Sequence, residues 1–163
     1  MSYSLERMQL RYALEIVEWE YPKPYHVYNM EGSPLAIAEL MDGQYFSVFK
    51  NNELVGFFCF GASAQIKCLE SRRFYDNLTF LDVGLGMHPA HCGRGRGQGF
   101  VRAGLEFVRK QSWTGGFRLT VDEANSRAQK VYERVGFEPI GCFITGRSGI
   151  SCTFVVMVMK SGV

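Results

Sequence analysis

Apolar and polar positions alternate between two periods along this chain, and the change of period marks its elements. From residue 5 to 19 the period is helical, with Leu10, Leu14, Val17 and Ala13 on one expected face. YPKPYHVY, 21–28, carries two prolines and cannot continue that helix. A second short helix is expected from Pro34 to Leu40, since proline suits a first helical turn. QYFSVFK and LVGFFCFG then flank NNE at 51–53, the pattern of a tight hairpin. LTFLDVGLGMHP, 78–89, reads as a strand interrupted by Gly84 and Gly86 and stopped by Pro89. Glycines inside a strand mark a bulge or a close approach to the backbone.

From Gly97 to about Gln111, Phe100, Val101, Gly104, Leu105 and Val108 form one helical face, with Arg102, Glu106, Arg109 and Lys110 off it. FRLTV, 117–121, is a strand. Asn125–Val135 is a helix striped by Ala128, Val131, Tyr132 and Val135, with Gly136 placed to end it. FEPIGCFIT and ISCTFVVMVMK form strands around a turn at 146–149. Strands and helices so mixed predict a mixed sheet with helices on both faces, its parallel part being the two strands joined by the 97–111 helix.

Composition narrows the function classes. With 47% apolar residues, 13 Phe and 8 Tyr, the 163 residues can fill the core of one domain, and disorder is not expected. No apolar run reaches the roughly 18 residues of a membrane span, and Glu6, Arg7 and Arg11 interrupt what a signal peptide needs. Five cysteines without a CxxC pair, three of them in strand-like apolar text, read as buried free thiols, and a cytoplasmic location is expected. A net charge of +2 is too small to imply a nucleic-acid partner. His26, His88 and His91 lack metal-ligand spacing, so no metal is expected.

The stretch HCGRGRGQGF, 91–100, places Gly93, Gly95, Gly97 and Gly99 at every second position, immediately before a helix. A dinucleotide fingerprint needs glycines at i, i+2 and i+5, and here the last falls on Gln98, Phe100 or Arg102. No GxxxxGK[ST] string is present either. An arginine–glycine RNA-binding loop lacks interleaved aromatics. A plain glycine-rich turn and an anion cradle remain. In the cradle, successive backbone N–H groups at a helix start bind phosphate, and bare backbone lets the phosphate come close.

The run MHPAHCGRGRGQGFV resembles motif A of the GCN5-related N-acetyltransferases, where a strand ends at Val-x-Pro and [Q/R]-x-x-G-x-[G/A] opens a helix. LTVDEANSRAQKVYERVGFEPIG resembles the second signature of that superfamily, N-x-x-A-x-x-x-Y-x-x-x-G-F, at Asn125, Ala128, Tyr132, Gly136 and Phe137. The resemblance covers residues 78–140. Cys92 stands where Gln or Arg is usual, and Arg96 where the residue between the glycines is usually apolar. A shifted register, Arg94-x-x-Gly97-x-Gly99, fits the distance from Pro89 less well.

The resemblance implies one domain over 1–163 of α/β (α+β) class. Its sheet would be mixed, mostly antiparallel, with a central parallel strand pair splayed at the acetyl-CoA site. It implies acetyl transfer from the CoA thioester to a primary amine by direct transfer, without metal. The pantetheine arm would pair with Leu85, Gly86 and Met87. The pyrophosphate would sit on the amides of Cys92, Gly93, Arg94, Gly95, Arg96 and Gly97, with both arginines available to outer phosphates. A backbone N–H near Leu85 would meet the oxyanion, and Tyr132 would protonate the departing thiolate. From its residue pattern alone Tyr132 is also a core aromatic, and Asn125 is either a cofactor contact or a helix cap. Asp82 is either the general base or an ion-paired carboxylate, with ordered water or Glu123 next in line for the base. Ribosomal-protein alanine N-acetyltransferases carry a Glu on the following strand where this chain has Thr120, which argues against that substrate. A small-molecule or peptide amine is the expected acceptor, with neither nucleic acid nor membrane as partner, and a homodimer is compatible. The alternative is a CoA-binding or regulatory domain without turnover.

Overall fold

A computed structural model describes residues 2–147 and 149–161. The elements are β1 (Ser4–Arg7), α1 (Leu10–Ile16), α2 (Pro34–Leu40), β2 (Tyr45–Lys50), β3 (Glu53–Phe60), α3 (Arg72–Tyr75), β4 (Phe80–Met87), α4 (Gly97–Lys110), β5 (Gly116–Asp122), α5 (Ser126–Val135), β6 (Glu138–Arg147) and β7 (Ile150–Met159). The strands run in sheet order β1-β2-β3-β4-β5-β7-β6. Pairs β1–β2, β2–β3, β5–β7 and β6–β7 are antiparallel and β4–β5 is parallel. The chain divides into two compact units, one containing residues up to Cys59 with Leu85–Phe107, the other Phe60–Gly84 with the chain from Val108 onward.

In the first unit, β2 and β3 are joined by Asn51 and Asn52, both with positive φ (53° and 64°). Two left-handed residues make the primed turn whose twist matches a hairpin, and asparagine tolerates it. The apolar run from Leu54 to Cys59 is buried throughout, as expected of an interior strand. The helix expected over 5–19 is shorter. Residues 4–7 pair with β2 instead, and the helix starts only after Gln9, whose backbone is still extended. Its buried face is Ala13, Ile16 and Val17, while Leu10 and Leu14 are about half exposed. With the first turn lost to a strand, seven residues bury one narrow i, i+3, i+4 set.

Helix α4 buries Phe100, Val101, Leu105 and Val108. Phe58 stacks on Phe100 with centroids 4.8 Å apart. The same ring fills the space above Gly104, where an added Cβ would lie 2.3 Å from it. Alanine ordinarily favours a helix over glycine by about 1 kcal/mol. Phe58 is fully buried and already stacked, so it cannot retreat, and overpacking of this kind costs about 1–3 kcal/mol. Gly104→Ala is therefore expected to destabilise in urea unfolding. Equal or greater stability would show that the ring yields.

In the second unit, β5 lies between β4 and β7, and β6 is the edge strand. The parallel ladder runs from Phe80↔Gly116 to Asp82↔Arg118. Helix α5 ends as expected at Gly136. Its φ is +125°, its N–H meets the Glu133 carbonyl, and the Phe137 N–H meets that of Tyr132, the Schellman pattern. All five cysteines are free, but only Cys59 is buried. Cys142 is exposed because it faces outward from edge strand β6, so strand-like apolar text there did not mean a core position. The expected turn at 146–149 falls partly on Ser148, outside the described residues. Among those residues no helix is long and apolar enough to cross a membrane.

Candidate active site

The end of β4 and the loop after it belong to the first unit. The His88 N–H donates to the Val55 carbonyl at 2.8 Å, and the Gly86 carbonyl lies so close to Gly56 that a Cβ there would be 2.6 Å from it. Backbone groups alternate sides along a strand, so the Gly86 carbonyl and the His88 N–H face β3 while Leu85 and Met87 turn theirs to the opposite edge. Gly86 has a packing reason as well, for a Cβ would lie 2.3 Å from the Phe57 ring.

After Met87 the chain makes one tight turn at Pro89–His91, where the His88 Nδ1 accepts the Ala90 N–H. Gly93 and Gly95 then adopt φ of +70° and +72°. Such values are cheap for glycine alone, and they swing the chain onto α4. The Arg96 carbonyl accepts the first helical bond, from Phe100 N–H. Gly97, Gln98 and Gly99 therefore present amides with no partner inside the helix, at the positive end of a 14-residue dipole. A Cβ at Gly95 would meet nothing within 4 Å, so the loop's outer side is open. The exposed Arg96 guanidinium bonds the His91 Nδ1, and the His91 Nε2 faces Glu53 at 3.2 Å. Nearby, burial and the neighbouring His91 hold His88 below the usual imidazole range.

The other expected site residues lie in the second unit. The Asn125 Oδ1 accepts the Ala128 N–H at 3.1 Å and caps α5. Tyr132 is buried in the α5 stripe, its ring edge-on to Phe137 at 6.2 Å. Asp82 has the geometry of an ion-paired carboxylate. It is 4% exposed, and its oxygens accept Arg118 Nε (2.7 Å), Arg118 Nη2 (2.8 Å) and Gln65 Nε2 (2.9 Å). Arg118 was not anticipated, because apolar and polar residues alternate in FRLTV as in a half-exposed strand. Thr120 bonds the Tyr75 hydroxyl at 2.8 Å, and burial raises that phenol. Among the described residues no three His, Cys, Asp or Glu side chains gather to hold a metal ion.

A family model for the acetyltransferase (GNAT) family matches residues 13–137. A mycothiol acetyltransferase from Salinispora tropica is 42% identical over 53 residues, 32% of this chain but 17% of the relative. Aminoglycoside acetyltransferase AAC(6')-Ib solved with coenzyme A superimposes with a TM-score of 0.74 at 18% identity, over 98% of this chain and 95% of that one. A chimera of the spermidine N-acetyltransferase SpeG from Vibrio cholerae and hSSAT gives 0.72 at 16% identity, over 98% and 96%. At such identities the structural likeness is one of fold, and membership rests on the family match across most of the chain. The chain belongs to the acetyltransferase (GNAT) family.

Proposed function

We propose that the protein is an acetyl-CoA-dependent N-acetyltransferase that passes an acetyl group directly from the CoA thioester to a primary amine. The observation that carries this is the loop at Gly93–Gly97, where two left-handed glycines bring bare backbone to the open first turn of α4. A pyrophosphate on the amides of the 92–97 loop, where the Cys92 N–H already donates to the Pro89 carbonyl, gains several N–H donors and the helix dipole together, and Arg94 and Arg96 supply positive charge. The pantetheine amides pair with Leu85 and Met87, whose backbone groups face away from β3, in the manner of an added strand.

In the reaction the amine nitrogen attacks the thioester carbonyl and the C–S bond breaks. The Leu85 N–H meets the developing oxyanion, and the CoA thiolate leaves with a proton from Tyr132. Asn125 orders the start of the helix that carries Tyr132 and lies beside the cofactor. Asp82, fully engaged by Arg118 and Gln65, anchors β4, so the proton lost by the amine passes to ordered water or Glu123. The protein's structural neighbours include an aminoglycoside and a spermidine acetyltransferase. Aminoglycosides and polyamines therefore join amino acids and peptide N-termini in a thiol-release screen.

Acetyl-CoA at about a hundred times its Kd should stabilise the fold by about 2.7 kcal/mol, seen as a raised Tm, with NAD and ATP doing far less. Gly95→Val should remove that shift. The φ of +72° is an outlier for a β-branched residue, and the loop must leave its cradle geometry. Unchanged acetyl-CoA affinity in Gly95→Val would overturn the assignment of this loop.

A further inference from the structure

The proline-bearing segment 21–28 reaches the end of β4 through one side chain. The Tyr21 hydroxyl donates to the Met87 carbonyl at 2.8 Å, across 66 residues of sequence. The segment is built to hold it there. The Tyr21 N–H is taken by the Asn29 Oδ1 at 2.7 Å, and the Tyr28 ring packs edge-on at 6.4 Å. Met87 belongs to the set whose backbone groups face away from β3, the edge assigned above to pantetheine. The Cys92 Sγ also lies 3.5 Å from the Met87 carbonyl, and equally from that of His88, so its one thiol hydrogen is shared between them. A carbonyl oxygen has two lone pairs, so the Tyr21 phenol holds one of them on the edge where an amide N–H would arrive and the shared thiol competes for the other.

We propose that Tyr21 is a cofactor-binding residue whose hydroxyl oxygen accepts a pantetheine amide N–H in place of the Met87 carbonyl. The proposal rests on the acetyl-CoA reading. A phenol donates one hydrogen and keeps lone pairs for an acceptor role, so Tyr21 passes the carbonyl's acceptor function outward by one group. Burial, reinforced by the nearby Cys92, pushes this phenol well above its ordinary value. It therefore keeps its proton, and its bond to Met87, across the working pH range. The segment thereby extends the strand edge with a side chain, and Asn29 sets the position of that side chain.

Tyr21→Phe tests this, because it keeps the ring and removes only the hydroxyl that bonds the carbonyl. Calorimetric titration compares acetyl-CoA with adenosine 3′,5′-bisphosphate, which lacks the pantetheine arm. The expected result is a three- to tenfold weaker Kd for acetyl-CoA, about what one hydrogen bond is worth, with nucleotide affinity unchanged within about twofold. Unchanged acetyl-CoA affinity would overturn the assignment. An equal loss for both ligands would do so too, since it would trace the effect to the loop at 92–97. A wild type that binds neither ligand would overturn the acetyl-CoA reading itself, and Tyr21's role with it.

Discussion

Arg118→Met is expected to cost about 3–5 kcal/mol of folding stability, since it strands Asp82 in the interior without its partner. The two residues face each other on the last parallel rung between β4 and β5. They form a bidentate pair at 2.7 and 2.8 Å with Arg118 only 1% exposed. The remaining guanidinium nitrogen donates to the Asn77 carbonyl at 3.0 Å, and the cation lies over the rings of Tyr75 and Phe80. Such a pair contributes little net stability over a well-packed apolar one, yet removing one half leaves an uncompensated buried charge. Domains of this size are stable by about 5–15 kcal/mol, so the single variant stands near unfolding. The double variant Asp82→Leu/Arg118→Met should recover most of the loss in urea unfolding. A single-variant loss below about 1 kcal/mol would show that water reaches the pair. Turnover by the folded double variant removes Asp82 from the chemistry, and a folded but inactive one returns it there as the base.

That pair shows where sequence reading reached its limit. Asp82 and Arg118 are 36 positions apart, and neither strand's pattern reveals that two charges meet on one rung. Seen alone, Arg118 is a polar residue in an alternating strand, and only the register of the parallel ladder buries it. Tyr21 was hidden for a similar reason, since its partner is a backbone carbonyl 66 residues away and leaves no trace in side-chain pattern. The legible parts are those whose cause is local. Gly136 had to be glycine to end α5 at φ +125°, and Asn125 to Ala128 is the spacing of a cap. The alternate glycines at 93–99 mark bare backbone before a helix, but that Gly93 and Gly95 turn left-handed is seen only in the structure. The first helix is shorter than its pattern predicts because β1 forms only by pairing with β2, some forty residues on. Its residues alone fit a helix equally well.

Tyr132→Phe should lower kcat at least about tenfold while leaving the protein folded and its acetyl-CoA affinity within about threefold. Tyr132 is 9% exposed, one element of a helix stripe whose ring packs edge-on to Phe137. Phenylalanine keeps that packing and removes only the hydroxyl, so a change in rate reports the proton rather than the fold. A positioned general acid is worth about 10²–10⁴-fold in rate, or roughly 3–5 kcal/mol of barrier. The lower bound of tenfold allows for a solvent proton replacing the phenol's. An ordinary phenol has a pKa near 10, well matched to a departing thiolate. The loss should therefore appear in the chemical step, seen as a lower single-turnover rate at saturating acetyl-CoA. Normal turnover by Tyr132→Phe would return the residue to the core role its stripe position also allows. A wild type that binds acetyl-CoA tightly yet acetylates no amine in the panel would establish a cofactor-binding domain without turnover, with Tyr132 as one of its packing residues.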